Sequence, residues 1–358
     1  MARTFPCAQC GADVTFDPTA AAPRCPWCGV VVAPPTGAGA PEELDLAVWL
    51  ERAAAEADTV ERLTVRCGQC GAESSTEPNV TATRCPFCGS AVVAAAQSRR
   101  LLRPAALLPF AVDASRATEA FRRWLAGLWF APSALRRLAH RTGALVGIYV
   151  PFWTFDAATT SFYEGERGDD ITVHEPVTVV EAGRHVTRSR AVTRTRWSGA
   201  SGTVRRRFDD VLVSAATSLP EGLVGELQPW DMQVLVPYDD AWLAGFRAES
   251  YSVPLPAAFE RAKGVMAAAI RDDVARDIGG EHQRIHRVDT RHEGVTFKHV
   301  LLPVWLAAYR FRDRTFRFVV NARTGEVQGE RPWSWIKIGL AVLAGVALLL
   351  LLISLFGR

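Results

Sequence analysis

Residues 338–356 read IGLAVLAGVALLLLLISLF, nineteen positions with no charge and one polar side chain, Ser354. At about 1.5 Å of rise per residue, a helix of that length spans roughly the ~30 Å hydrocarbon core of a bilayer. A helix also pairs its own backbone groups, as lipid demands. No polar face interrupts the run, so the spacing predicts a transmembrane helix over 336–356 rather than a core helix. Trp333 and Trp335 stand where an interfacial aromatic belt lies. Arg331 and Lys337 flank the N-terminal side, and Arg358 alone follows the run. Positive charge favours the cytoplasmic side, and residues 1–11 form no apolar signal segment. The expectation is a tail anchor in the cell (inner) membrane, crossing once, with the bulk of the chain facing the cytosol.

All eight cysteines fall in the first 88 of 358 residues. Residues 7–29 read CAQCGADVTFDPTAAAPRCPWCG, and residues 67–89 read CGQCGAESSTEPNVTATRCPFCG. Each is C-x2-C-x14-C-x2-C, and the second repeats the first at an offset of 60. In a C-x2-C knuckle two thiolates converge on one metal across a tight turn. The glycine that follows (Gly11, Gly29, Gly71, Gly89) frees the backbone for that turn. Two facing knuckles give four soft ligands in a tetrahedron. The reading is two zinc ribbons, with Cys7, Cys10, Cys25 and Cys28 on one structural Zn2+ and Cys67, Cys70, Cys85 and Cys88 on the other. Four thiolates close the shell and leave no position for a catalytic water. The metal supplies folding energy that segments this short cannot obtain from burial. In a cytosol-facing protein these thiols are expected reduced.

The domain boundaries follow from composition. Ribbon 1 covers 1–33, a linker and acidic helix 34–63, ribbon 2 64–95, and a mixed α+β central domain 100–332. The helix is expected over 42–63, where 42–61 carries seven acids and one arginine. A solvated face and a docking surface for a basic partner both fit that charge. Over 99–141 the balance reverses, with nine arginines against two acids. Asp113 is placed as the cap of a helix running to Gly127, with Phe121, Trp124, Leu125 and Leu128 on its apolar side. A second short helix is expected after Pro132. Residues 145–213 alternate as strands. In 184–197 one face carries Arg188, Arg190, Arg194 and Arg196, a candidate contact for anionic lipid or nucleic acid. A merely solvated arginine face fits that pattern equally. Residues 254–278 form an amphipathic helix stopped by Gly279 and Gly280. Strands follow at 295–311 and 315–321, then a turn at 321–325.

A weaker duplication links GIYVPFWTFDA (147–157) to HVLLPVWLAAY (299–309), each leading on to Gly-Glu-Arg. Two related β-units in one α+β domain are expected.

Catalytic patterns are sparse. His282 and His286 lie four apart without the intervening Glu of a metalloprotease motif, and His174–Glu175, Asp209–Asp210 and Asp239–Asp240 are adjacent pairs whose side chains point apart on a strand. The sequence has no phosphate-binding lysine loop, no nucleophile elbow and no dinucleotide fingerprint. A non-catalytic protein with no small-molecule substrate is therefore expected.

The cysteine quartets, taken with PFWTFDA, FDDVLVSA, LQPWD, FKHVLLPVWLAAY and VVNARTGEVQGERP, resemble a family of bacterial membrane proteins. That family is often catalogued as "primosomal protein N′ (replication factor Y), superfamily II helicase". The resemblance implies the ribbon–core–membrane-helix architecture and the eight cysteine ligands. It does not bring ATP turnover, because the lysine loop that grips ATP is missing. The function expected is a membrane-anchored zinc-ribbon adaptor that binds a protein partner. The alternative is a membrane-tethered nucleic-acid-binding protein.

Overall fold

The computed structural model describes residues 5–33, 41–52, 59–75, 82–93, 97–130, 132, 145–181, 184–311, 314–330 and 333–356. Strand-forming residues dominate its second half, and they build one sheet whose main path is antiparallel. Its order is β2 (Arg184–Ser214), β1 (Val146–Glu181), β3 (His282–Phe311), β4 (Arg314–Asn321) and β5 (Val327–Gly329). The fold is mixed α+β, as expected. Beyond the Gly168–His282 pair β3 ends, and only β1 and β2 continue. Residues 169–181 and 184–196 thus form a two-stranded arm of roughly 40 Å at ~3.3 Å per residue.

The two copies of the apolar–Pro–apolar–Trp segment are neighbours in this sheet. They run antiparallel, with Val150 directly opposite Leu302, the fourth residue of each copy. The pairing is therefore symmetric: Tyr149 faces Pro303 as Leu301 faces Pro151, and Gly147 faces Trp305 as His299 faces Trp153. The symmetry reaches further than the sequence likeness. Each long strand is preceded by a two-residue strand and a helix: Ala106–Leu107 then α2 (Ala114–Gly127), and Arg247–Ala248 then α3 (Leu255–Ile278).

The short strands are exchanged between units. Ala106–Leu107 runs parallel to Val300–Leu301 of β3, and Arg247–Ala248 runs parallel to Ile148–Tyr149 of β1. The tryptophans are exchanged too. Trp153 Nε1 donates to the Val253 carbonyl at 3.0 Å, and Trp305 Nε1 to the Val112 carbonyl at 2.7 Å. After each hairpin the chain bends back alike: Ala215 N donates to Pro151 O, and Ala322 N to Pro303 O. The β-duplication is thus a repeat of a short strand, a helix and a hairpin, interlocked about a local twofold.

The helices behave as their patterns require. Asp113 accepts from the backbone N–H of Ser115 and Arg116 at the start of α2, and Phe121, Leu125 and Leu128 are buried. On α3, Ala258, Ala262, Met266, Ile270, Val274 and Ile278 are buried against β1, β2 and β3, and Gly279 ends the helix at φ 68°. The turn after β4 closes through Gly325 N to Asn321 O at 2.8 Å.

The segment between the ribbons differs from expectation. Among the described residues the helix is α1 (Leu46–Arg52), entered from a two-residue strand, and Thr59–Arg66 is a strand rather than its continuation. Leu44–Asp45 has an open edge of β3 to pair with, and that backbone pairing overrides the acidic helical pattern. The short helix expected after Pro132 lies outside the described residues.

The final helix, α4 (Trp335–Phe356), is long and apolar enough to cross a membrane, and none of it is buried in the protein. Its start is tied to the domain, since Ser334 N donates to Phe130 O at 2.8 Å and Lys337 Nζ to Trp129 O at 3.2 Å.

Ala258 and Ala262 have no exposed surface between α3 and the sheet. Ala262→Leu is expected to overpack that seam and cost about 1–3 kcal/mol, read as a lower thermal midpoint.

Candidate metal centres and polar clusters

The knuckles form because glycine takes a conformation that other residues avoid. Gly11, Gly29, Gly71 and Gly89 all have φ between 71° and 76°. Each donates its N–H to the carbonyl of the first cysteine of its knuckle at 2.8–2.9 Å. The turn aims both thiols of a knuckle one way, and the facing knuckle completes each quartet. In the first, Cys7 lies 3.5 Å from Cys28 and Cys10 3.5 Å from Cys25, sulfur to sulfur. In the second, both the Cys67–Cys88 and Cys70–Cys85 pairs are at 3.6 Å. A tetrahedral Zn–S shell with ~2.3 Å bonds has edges of roughly 3.8 Å. All four sulfurs of each quartet lie within 4.8 Å of one another, so each can hold a metal ion. The Cys28 backbone N–H lowers the Cys25 thiol to about 6, and the Cys85 side chain lowers Cys70 to about 5. Cys7 and Cys67 are lowered as well, so thiolate, the form that ligates, is favoured at two positions of each quartet.

The two quartets sit in different surroundings. In ribbon 2 the residue between the knuckle cysteines, Phe87, is 0% exposed and packs into the core with Leu108, Phe152 and Val319. Arg317 Nε donates to its carbonyl at 3.0 Å. In ribbon 1 the equivalent residue, Trp27, is 83% exposed. Ribbon 1 touches the core instead through Phe16, which packs on Trp242 and Phe246.

A second polar site was not read from the sequence. At the β1–β2 bulge, Asp210 takes a left-handed φ of 50° and donates its N–H to Asp156 Oδ1 at 2.6 Å. Lys298, 7% exposed, reaches Glu43 Oε1 and Asp210 Oδ1, each at 2.9 Å. Thr296 Oγ1 lies 3.0 Å from Glu43 and 3.3 Å from Asp156. Burial pushes Asp156 up to about 6, while Lys298 holds Glu43 below its ordinary range. Three carboxylates around one ammonium pin the inter-ribbon segment to β3. The signal was split between positions 43, 156, 210 and 298, and neither the bulge nor its inward-turned aspartate leaves a mark in the spacing.

The arginine face of the arm is less basic than its strand alone. Directly across from Arg190 stands Glu175, and across from Arg196 stands Asp169. Arg194 also pairs with Glu175. His282 and His286 lie on β3, but they are not brought together: His282 Nε2 meets Asp170 at 3.2 Å and His286 Nε2 faces Glu166 at 3.8 Å. Asp239 caps a short turn, and Tyr238 donates to Asp240 at 2.6 Å. Among the described residues, only the two cysteine quartets bring three or more potential metal-ligand atoms all within 4.8 Å of one another.

Fold and sites together define a protein with two four-cysteine ribbons, a duplicated α+β core and one candidate membrane span. Over 270 residues, 72% of each chain, it is 28% identical to the uncharacterized protein YdjG of Bacillus subtilis (strain 168). No family model and no solved structure matches.

Lys298→Met leaves the carboxylates without their cation and is expected to cost roughly 3 kcal/mol in chemical denaturation near pH 7.5. An acid whose folded pKa is raised loses stability as pH rises through that value. The deficit is therefore expected to shrink towards pH 5, as Asp156 protonates.

Proposed function

We propose that this chain is a membrane-anchored scaffold of the cytosolic face of the cell membrane. Two Zn2+ ions hold its ribbons, and ribbon 1 captures a protein partner. The observation that carries the reading is the contrast between Trp27 and Phe87. The duplicated ribbons place the same kind of residue at the tip of the same knuckle. Ribbon 2 uses it as a plug, with an apolar pocket around the ring and an arginine donor on its carbonyl. Ribbon 1 holds the larger ring out in solvent. Leaving an indole exposed is unfavourable, and a rigid aromatic on a stiff turn is the usual anchor of a binding hot spot. The partner expected is a protein surface of the kind that receives Phe87: an apolar β-face with a donor at its rim. The closed four-thiolate shells and the candidate span fit a positioning role. Arg331 and Lys337 beside the start of the apolar run support the cytosolic orientation.

A photoreactive residue at position 27 in native membranes is expected to yield a discrete protein adduct on an apolar β-face. Trp27→Ala should lower partner affinity about thirtyfold, as a central hot-spot residue does. Adducts that nuclease rather than protease removes, or capture indifferent to Trp27→Ala, would sink the proposal. Elemental analysis of full-length protein is expected to give two zincs per chain and one after Cys25→Ser or Cys85→Ser. A different metal, or well under two ions, rules out the zinc assignment.

A further inference from the structure

The face of the sheet turned away from α3 carries a groove of about 540 Å3. Its shape follows from register. On the central strand β1 the floor is Ala158 and Thr160, both small. Arg207 on β2 and Glu293 on β3 flank Ala158 in one cross-strand row. Arg205 and Arg291 flank Thr160 in the next, and the third row holds Phe162, 51% exposed, with Asp289 beside it. Long side chains on the outer strands over small ones on the middle strand make a trough with arginine walls.

The floor is braced from behind. Thr159, Ser161 and Tyr163 alternate onto the other face and are buried there. Tyr163 donates to Asp277 of α3 at 2.6 Å, and Arg206 pairs with Asp273 of the same helix at 3.1 Å. Arg206 thus faces away and is neutralised, while Arg205 and Arg207 on either side of it are not. Among the described residues, none of the Arg205, Arg207 and Arg291 side chains forms an ion pair or a hydrogen bond. Three like charges around one small floor repel one another unless an anion lies between them.

We propose that this groove binds a compact phosphate-bearing anion. The guanidinium forks of Arg205, Arg207 and Arg291 would take the phosphate oxygens in paired hydrogen bonds. The Thr160 hydroxyl would donate from the floor, and Phe162 would stack on a flat moiety attached to the phosphate. Extent favours a small ligand over a polymer. The groove falls in the ~300–1,000 Å3 range of small-molecule sites. Acids lie at both ends, Glu293 in the first row, Asp289 beside Phe162 and paired with Arg287, and Glu164 in the next row, so a nucleic-acid strand continuing along β1 would meet carboxylates. This site is separate from the arm with Arg188, Arg190, Arg194 and Arg196, and it does not rest on the scaffold reading.

The test is calorimetric titration of the full chain in detergent micelles with inorganic pyrophosphate and with adenosine diphosphate. Two further arms use phosphatidylglycerol vesicles and a single-stranded oligonucleotide. Saturable binding of a soluble phosphate is expected. Arg205→Ala and Arg291→Ala should each weaken it about tenfold, whereas Arg188→Ala with Arg196→Ala should leave it unchanged. Phe162→Ala should weaken adenosine diphosphate but not pyrophosphate. Binding confined to the vesicles, and lost in the same two variants, identifies the phosphate as a lipid headgroup's. No saturable binding in any arm overturns the proposal. So does oligonucleotide binding more than a hundredfold tighter than either small phosphate, or affinity unmoved by the Arg205 and Arg291 changes while the variants' melting curves match the parent's.

Discussion

The antiparallel pairing of two like segments, β1 from Gly147 and β3 from His299, is the constraint on which everything else rests. Because Val150 meets Leu302, whatever one unit offers the other is offered back. Each unit lends its short strand and a backbone carbonyl, and each returns an indole N–H. Neither unit can bury its tryptophan nitrogen alone, since the acceptors, Val112 and Val253, belong to the opposite copy. A buried donor without a partner costs about 1–3 kcal/mol. The exchanged bonds therefore make the core one cooperative body rather than two stacked repeats.

The ribbons show the converse: one local structure in two environments. Glycines in the left-handed region and four convergent sulfurs recur in both, because the knuckle turns set that geometry within a few residues, without help from the core. What lies around the shell differs. Ribbon 2 delivers Phe87 into a pocket next to Arg317, while ribbon 1 is held by Phe16 from its other side and turns Trp27 outward. Duplication followed by different docking leaves one knuckle tip buried and the other in solvent.

Charge behaves in the same divided way along the long hairpin. Read as a strand, 184–207 carries eight arginines and no acid. In the sheet, the arm part gains Glu175 and Asp169 from β1, and Arg206 is taken by α3, which leaves Arg205 and Arg207 beside Arg291 of β3. The basic site that emerges sits on the three-stranded part, not on the stretch where the alternation was most regular. The Lys298 cluster is a product of the same pairing, with its aspartate turned inward by a bulge.

The sequence by itself determined the elements whose physics is local. The cysteine spacing set both ribbons, the uncharged run set α4, Asp113 and Gly279 set helix ends, and the shared Pro–Trp pattern disclosed the repeat. Capping, knuckle turns and apolar length act over a few residues and leave their mark there. Tertiary structure alone decided how far the repeat extends, that 44–45 and 59–63 are strand rather than helix, which knuckle tip is buried, and which arginines stay unpaired. Those outcomes depend on partners from distant parts of the chain, because an open strand edge, an apolar pocket or a facing carboxylate outweighs the preference of the segment it meets.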